Sequence, residues 1–139
     1  MEPVHRIQIK IGPEVIDQNG HVNNVAYVQW MQDVAISHAR LCGCSDAIKE
    51  IGASWVVRTH FVEYLRPAYP GEIVTALTWV SNFGKVRSLR KYKFIRESDS
   101  AVLARAETDW VFVDSNGHPA SIPDFVKEFF VTVGKDEEP

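Results

Sequence analysis

The sequence has few of the features that mark several large classes of protein. Its two cysteines, Cys42 and Cys44, are too few for a disulfide framework or for a zinc site built from cysteines alone. No apolar run approaches the ~20 residues that a membrane helix needs, and the first residues lack the apolar core of a signal peptide. We therefore expect a cytoplasmic protein that has no membrane segment.

Charge of one sign is also scarce. The chain has 18 acidic and 15 basic residues, a net charge of −3, and residues 135–139, with one lysine and three acids, contribute −2 of it. A body so close to neutral creates no basic field that would attract nucleic acid, so we expect no nucleic-acid partner. The length of 139 residues is typical of one domain. We predict a single domain over residues 1–134 and an acidic C-terminal tail over residues 135–139.

The pattern of apolar residues predicts strands and one long helix. Segments that alternate, or that are rich in valine and aromatic residues, predict five strands, at residues 5–11, 54–64, 72–81, 86–95 and 101–113. Polar residues recur at steps of three and four over residues 25–42, which predicts a long and mostly buried helix. Pro123 indicates a short helix over residues 123–130. This order is typical of an α+β fold, in which one helix covers five strands only if the sheet curls around it.

One segment concentrates the groups that chemistry needs. A carboxylate, an imidazole and three asparagine amides lie within Asp17–Asn24, in a loop that leads directly into the long helix. The first turn of a helix offers unpaired N–H groups, which stabilise a developing oxyanion when they face a carbonyl. A carboxylate nearby can attack the carbonyl or activate a water. The simpler interpretation is that these residues only form the turn and cap the helix.

The spacing of these groups resembles a known family motif. The pattern Asp17-x-Asn19-x-His21-Val22-Asn23-Asn24-x-x-Tyr27 is similar to the loop of hot-dog-fold thioesterases. These enzymes form the 4-hydroxybenzoyl-CoA thioesterase superfamily, which includes acyl-CoA and acyl-ACP thioesterases. The resemblance implies a curved antiparallel sheet of about five strands wrapped around one long central helix. It also implies a homodimer or homotetramer with active sites between subunits.

The resemblance also assigns roles to single residues. Asp17 matches the catalytic nucleophile or general base, and Asn19 and His21 match positions that orient this carboxylate or the attacking water. The asparagines that follow look like loop-fixing amides, and the N–H groups near Asn24, Val25 and Ala26 would polarise the thioester carbonyl. The implied catalytic set is Asp17, Asn19, His21, Asn23, Asn24 and Val25. Glu63 does not align with the further acid of some members and stays outside this set.

Other candidate residues have two interpretations each. Lys85 and Arg87 flank a predicted hairpin turn, where they would bind the phosphates of coenzyme A or simply form part of a solvated strand face. They belong to a basic run with Arg90, Lys91 and Lys93. Tryptophans line an acyl pocket or fill the core; the candidates are Trp30, Trp55 and Trp79. The histidines have no metal-ligand spacing, so we expect no metal.

The leading hypothesis is hydrolysis of an acyl thioester, most simply an acyl-CoA, without a cofactor. An acyl carrier protein is the other candidate substrate. One alternative is a hot-dog enoyl-CoA hydratase or dehydratase, although Gly20 stands where that motif has proline and His21 comes one residue too early. A second alternative is a non-catalytic acyl-CoA-binding module, which would not need Asp17.

Overall fold

A single antiparallel sheet of five strands organises the chain. The computed structural model describes residues 2–139, and the strand order in the sheet is β1-β3-β4-β5-β2. The strands are β1 His5–Lys10, β2 Ser54–Tyr64, β3 Ile73–Phe83, β4 Arg87–Arg96 and β5 Val102–Val113. The helices are α1 Asn24–Leu41, α2 Cys44–Glu50 and α3 Asp124–Lys127, and short 3-10 turns occupy Pro13–Val15 and Lys135–Glu137. All five predicted strands and the long helix are present, while the predicted boundary at residue 134 stays a prediction.

The sheet bends around α1. The strand pairs β2–β5, β3–β4 and β4–β5 each contain a register shift. Examples are the shifts between Val57 and Thr59 of β2 and between Val80 and Asn82 of β3. Such irregularities bend a strand and increase its twist. The curved sheet therefore closes over one helix, as the α+β pattern predicts.

The core lies between α1 and the inner face of the sheet. Met31 and Val34 of α1 are fully buried there, together with Val74, Phe94 and Leu103 of the strands. Burying each side chain of this size contributes about 1.5–3 kcal/mol. The fold therefore depends on α1 as much as on the strand ladders.

Aromatic contacts fix the first half of α1 against the sheet. The Tyr27 ring lies 4.9 Å from Trp30, 5.3 Å from Phe94 and 5.4 Å from Tyr64, measured between ring centroids. All three pairs meet edge to face, the geometry that aromatic quadrupoles favour. These contacts join α1 to both the centre of the sheet and its β2 edge.

Strand β4 divides the predicted basic run between two faces. Ser88, Arg90, Tyr92 and Phe94 alternate as the buried face. The interpretation of Arg90 as part of a surface cluster is therefore wrong, because its parity in the strand matches that of Tyr92 and Phe94. On the other face, the Lys91 Nζ lies 2.6 Å from Glu138, and Lys93 donates to the Pro139 carbonyl at 2.9 Å.

Two helical segments differ from the sequence expectation. The helix α2 was not predicted, because seven residues give too few turns for a periodic pattern. It begins after Gly43, whose φ of 92° favours glycine, and it buries Cys44 and Ile48. The helix α3 is shorter than the predicted 123–130. Within residues 2–139, no helix combines the length and apolar character that crossing a membrane requires.

Candidate active site

The Asp17 loop, residues 17–21, is a tight hairpin in front of α1. The Asp17 amide donates to the His21 carbonyl at 2.9 Å, and the Gly20 amide donates to the Asp17 carbonyl at 3.1 Å. Gly20 has a φ of 81°, which a glycine adopts without the steric cost that other residues meet. Ile16 and Val22 pair as an isolated antiparallel bridge at the base of the hairpin. The backbone therefore holds Asp17 in a closed and defined loop.

Two further backbone hydrogen bonds anchor this loop to the body of the protein. The Val22 amide donates to the Ala68 carbonyl at 2.9 Å, and the Asn23 amide donates to the Val15 carbonyl at 2.8 Å. Ala68 is buried in the main core, so the loop is tied to a fixed point. The position of Asp17 relative to the start of α1 is thus determined by the backbone.

The Asp17 side chain is half-buried and has one hydrogen-bond partner among residues 2–139. Its Oδ1 accepts from the Asn19 backbone amide at 2.9 Å, as in an Asx turn. The other carboxylate oxygen has no partner in this part of the chain and is available to a water or substrate. The contact made by Asn19 uses its backbone, so an orienting role for its side-chain amide stays a prediction.

Asn23 is the N-cap of α1. Its Oδ1 accepts from the Ala26 amide at 2.8 Å, which takes that amide out of the candidate oxyanion donors. The amides of Asn24 and Val25 make no hydrogen bond within residues 2–139. The Val25 side chain is 76% exposed, so this end of the helix faces solvent. Two amides at the positive end of the helix are therefore free for an incoming carbonyl.

Sequence reasoning missed Tyr64. Its hydroxyl donates to the Asn24 carbonyl at 2.8 Å, and its ring packs against Tyr27, so the end of β2 holds the first turn of α1. Burial raises the pKa of Tyr64, which keeps this hydroxyl protonated. The only signal in the sequence was an aromatic residue at the end of a strand. The neighbouring Glu63 points to the opposite face of β2 and pairs in register with Arg105, so it lies away from the loop.

The comparison with known families covers both the loop and α1. A family model described as the thioesterase-like superfamily matches residues 11–130. The chain belongs to this superfamily. The match includes the whole Asp17 loop and every strand except β1.

Solved structures share the fold of this thioesterase-like protein. The probable thioesterase YbaW from Escherichia coli has a TM-score of 0.84 at 18% identity, with 90% of this chain and 95% of that chain covered. A mutant 4-hydroxybenzoyl-CoA thioesterase in complex with 4-hydroxybenzoyl-CoA has a TM-score of 0.85 at 16% identity, with 94% and 100% covered. A 1,4-dihydroxy-2-naphthoyl-CoA thioesterase from Synechocystis has a TM-score of 0.80 at 15% identity, with 91% and 94% covered. These likenesses confirm the predicted hot-dog fold.

The remaining implied site residue of the thioesterase-like protein is His21. Its half-buried ring meets Tyr69 edge to face, with ring centroids 6.0 Å apart. This contact fixes the ring beside the loop, and its predicted orienting role stays a prediction. Among residues 2–139, no three His, Cys, Asp or Glu side chains gather in a way that would hold a metal ion.

Lys85 and Arg87 lie at the other end of the sheet from the Asp17 loop. The loop is anchored through Val22 to Ala68, which precedes β3, whereas the Lys85 turn follows it. The eleven residues of β3 separate the two ends by roughly 33 Å at ~3.3 Å per residue. Within one chain, these cations are therefore not brought to the loop.

Arg87 also has a partner of its own. Its Nη2 lies 2.7 Å from the Asp109 carboxylate, and Arg58 approaches the same carboxylate at 3.6 Å. Binding a phosphate would require Arg87 to share or leave this pair. Lys85 makes no ion pair with any residue from 2 to 139, so it is the freer of the two cations.

Proposed function

We propose that the protein hydrolyses acyl-CoA thioesters to a carboxylic acid and free CoA, with Asp17 as nucleophile or general base. The observation that carries this proposal is the Asp17 carboxylate, which has one oxygen without a partner among residues 2–139, in a loop anchored beside the amides of the α1 first turn that are free within the same residues. Membership of the thioesterase-like superfamily supports the same chemistry.

The proposed reaction needs only groups that surround the loop. The amides of Asn24 and Val25 donate to the thioester oxygen as it becomes an oxyanion, and one such donor is typically worth ~10²–10³ in rate. Asp17 either adds to the carbonyl carbon to form an anhydride that water then opens, or takes a proton from the attacking water. In both cases the C–S bond breaks, the CoA thiolate leaves and takes up a proton, and one water is consumed. No cofactor or metal takes part.

CoA is the proposed carrier rather than an acyl carrier protein. A carrier protein is acidic and would require an exposed basic surface, whereas CoA needs only a few placed cations. The strand face that would provide such a surface is partly neutralised, because Lys91 pairs with Glu138 and Arg87 with Asp109. The solved 4-hydroxybenzoyl-CoA thioesterase complex, which shares this fold, holds a CoA ester.

A second subunit completes the proposed site. Strand β2 is an edge of the sheet, and Phe61 on it is 61% exposed. Its Tyr64 end lies beside the Asp17 loop and its Ser54 end lies near the Lys85 turn. In a two-fold dimer, β2 of one subunit would pair antiparallel with β2 of the other. The Tyr64 end of β2, beside the Asp17 loop, would then lie against the Ser54 end of the partner's β2, near the partner's Lys85 turn. Lys85 and Arg87 would then reach the CoA phosphates bound at the partner's loop.

The test is thiol release from a panel of acyl-CoA esters of short, medium, long, branched and aromatic acyl groups. Asp17→Asn keeps the acceptor for the Asn19 amide but removes the negative charge, so the loop should stay folded while kcat falls by about 10²–10⁴-fold. Asp33→Asn is the matched control, because Asp33 is an exposed acid on α1 whose only hydrogen-bond partner among residues 2–139 is Gln29.

Each outcome of this experiment has a defined meaning. Turnover that disappears in Asp17→Asn and persists in Asp33→Asn supports the proposal. Turnover that survives in Asp17→Asn removes Asp17 from the mechanism. If no ester is hydrolysed by the wild type, hydration of an enoyl-CoA and plain acyl-CoA binding identify which of the two alternative functions replaces hydrolysis.

A further inference from the structure

A cavity lies far from the Asp17 loop. It sits between the C-terminal half of α1 and the end of the sheet that carries the Lys85 turn. Its volume is about 300 Å³, at the lower end of the range of small-molecule sites. Its walls are mostly apolar and include Ala35 and Ile36 of α1, Ile48 of α2, Trp55 of β2 and Phe130. Ile36 is 40% exposed, so the cavity opens to solvent beside α1. Of the three tryptophans predicted as acyl-pocket candidates, Trp55 lines this cavity, and Trp30 and Trp79 do not.

The cavity contains a buried cation without a counter-ion. Arg90 lines it and is only 6% exposed. One of its nitrogens, Nη1, donates to His38 Nδ1 at 2.9 Å and to Thr78 Oγ1 at 3.2 Å, and the guanidinium lies 5.5 Å from the centre of the Phe130 ring. Within residues 2–139, no carboxylate lies within 4.0 Å of this guanidinium. Burying a charge in this way is costly unless something else pairs with it.

The groups around Arg90 cannot supply the missing negative charge. Burial lowers the pKa of His38 to about 3, so this imidazole is neutral and accepts a hydrogen bond from Arg90 without compensating its charge. Burial raises the pKa of both nearby thiols, that of Cys44 to about 11, so both are protonated. The guanidinium therefore faces the cavity as a cation whose neighbours are all neutral.

The rest of the guanidinium also lacks acceptors. Nη1 is the only Arg90 nitrogen with a hydrogen-bond partner among the described residues, and Nε and Nη2 have none. Buried donors are nearly always paired, so this half of the guanidinium calls for an acceptor. A small, fully hydrated anion does not match the apolar walls. A molecule that matches has an apolar body and one anionic acceptor group.

We propose that this cavity binds an apolar carboxylic acid, with its carboxylate on the Arg90 guanidinium. Trp55, Ile36 and Phe130 pack against the apolar body. The volume equals that of about ten water molecules, which limits the ligand to roughly ten heavy atoms including the carboxylate. The carboxylate has two sources, a free acid or the far end of a dicarboxylic acyl thioester that is held at the partner's Asp17 loop in the proposed dimer.

Binding is tested by titrating the protein with octanoate, octanol and inorganic phosphate and following tryptophan fluorescence and heat. Octanoate should bind to the wild type at least ten times more tightly than octanol, and Arg90→Met should weaken octanoate by about 10- to 100-fold while leaving octanol unchanged. Arg105→Met is the control, because Arg105 is exposed on the outer face of β5 and should leave octanoate binding as it is.

Several results overturn the proposal. Equal affinity for octanoate and octanol removes the anion site, and phosphate binding as tight as octanoate removes the apolar requirement. No detectable octanoate binding, or unchanged binding in Arg90→Met, contradicts the proposal outright. If Arg90→Met fails to fold, as judged by circular dichroism, Arg90→Lys and the comparison of octanoate with octanol in the wild type decide instead, with retained binding expected for the lysine variant.

The source of the carboxylate is identified by hydrolysis assays that rest on the proposed function. If the acid is the far end of the substrate, Arg90→Met lowers kcat/KM for an eight-carbon dicarboxylic mono-CoA ester at least ten-fold and leaves octanoyl-CoA unchanged. If the ligand is a free acid, octanoate inhibits the wild type more strongly than Arg90→Met. Absence of any hydrolysis contradicts the proposed function but leaves the binding experiment to judge the cavity.

Discussion

At the scale of single residues, Tyr64 makes a contact that holds the start of α1 in place and that no sequence motif predicted. The Tyr64→Phe variant removes only the hydroxyl that donates to the Asn24 carbonyl. We expect a loss of about 0.5–1.5 kcal/mol in the free energy of unfolding. A several-fold fall in kcat with little change in KM should accompany it, because the amides of the first turn lose their fixed position. Steady-state kinetics and urea denaturation measure both effects.

Tyr69→Phe provides the matched control, since Tyr69 is the other tyrosine beside the loop and its hydroxyl makes no hydrogen bond within residues 2–139. This variant should leave the free energy of unfolding and kcat close to those of the wild type. Equal kinetics for the two variants would mean that the hydroxyl of Tyr64 has no part in positioning the helix start.

Sequence reasoning found the residues whose partners are close along the chain and missed those whose partners are far along it. Asp17, Asn19 and Asn23 act on neighbours within three positions, so a short motif contains the information. Tyr64 and its acceptor are 40 residues apart, and Arg90 and His38 are 52 apart. Such partners meet only after the strands have found their order. The alternation of Ser88, Arg90, Tyr92 and Phe94 was nevertheless a usable signal that Arg90 points inward.

At the scale of elements, the start of α1 depends on the Asn23 cap. Asn23→Ala removes the acceptor of the Ala26 amide and should lower the free energy of unfolding by about 1 kcal/mol, within the usual range of 0.5–2. Chemical denaturation monitored by circular dichroism measures this. Asn24→Ala should have a much smaller effect, because the exposed Asn24 side chain makes no hydrogen bond with residues 2–139. Similar losses in the two variants would contradict the assignment of Asn23 as the cap.

The prediction of helices and strands succeeded for elements long enough to repeat their pattern of apolar residues several times. The eighteen residues of α1 repeat the helical pattern over five turns, and the strands β2 to β5 each run to ten residues or more. The seven residues of α2 complete barely two turns, and its buried positions are only Cys44 and Ile48. Packing against Phe112 and Val126, from distant parts of the chain, stabilises this helix. Local sequence could not reveal such contacts.

At the scale of the whole molecule, the buried His38 couples folding to pH. Its Nδ1 accepts from Arg90, which has no acceptor of its own, so the imidazole proton lies on Nε2, a buried atom without a partner among residues 2–139. Burial is the largest cause that lowers the pKa of His38 from 6.5 to about 3, and Arg90 and His5 add to it. The stacked His5 ring, whose centroid is 5.1 Å away, has its pKa lowered in the same direction.

The sign of the effect follows from proton binding. Between pH 6.5 and about pH 3, the unfolded chain binds a proton at His38 that the folded chain excludes, so acid favours unfolding. Stability is fully present above pH 6.5 and is lost as the pH falls towards 3, by at most about 1.4 kcal/mol per pH unit from this group.

His38→Gln keeps an acceptor for Arg90 and cannot titrate, so its stability should fall less steeply than that of the wild type between pH 6.5 and 4. His118→Gln, in an exposed turn, should follow the wild-type curve. Unfolding free energies measured in urea at each pH would contradict this account if the His38→Gln and wild-type curves ran parallel.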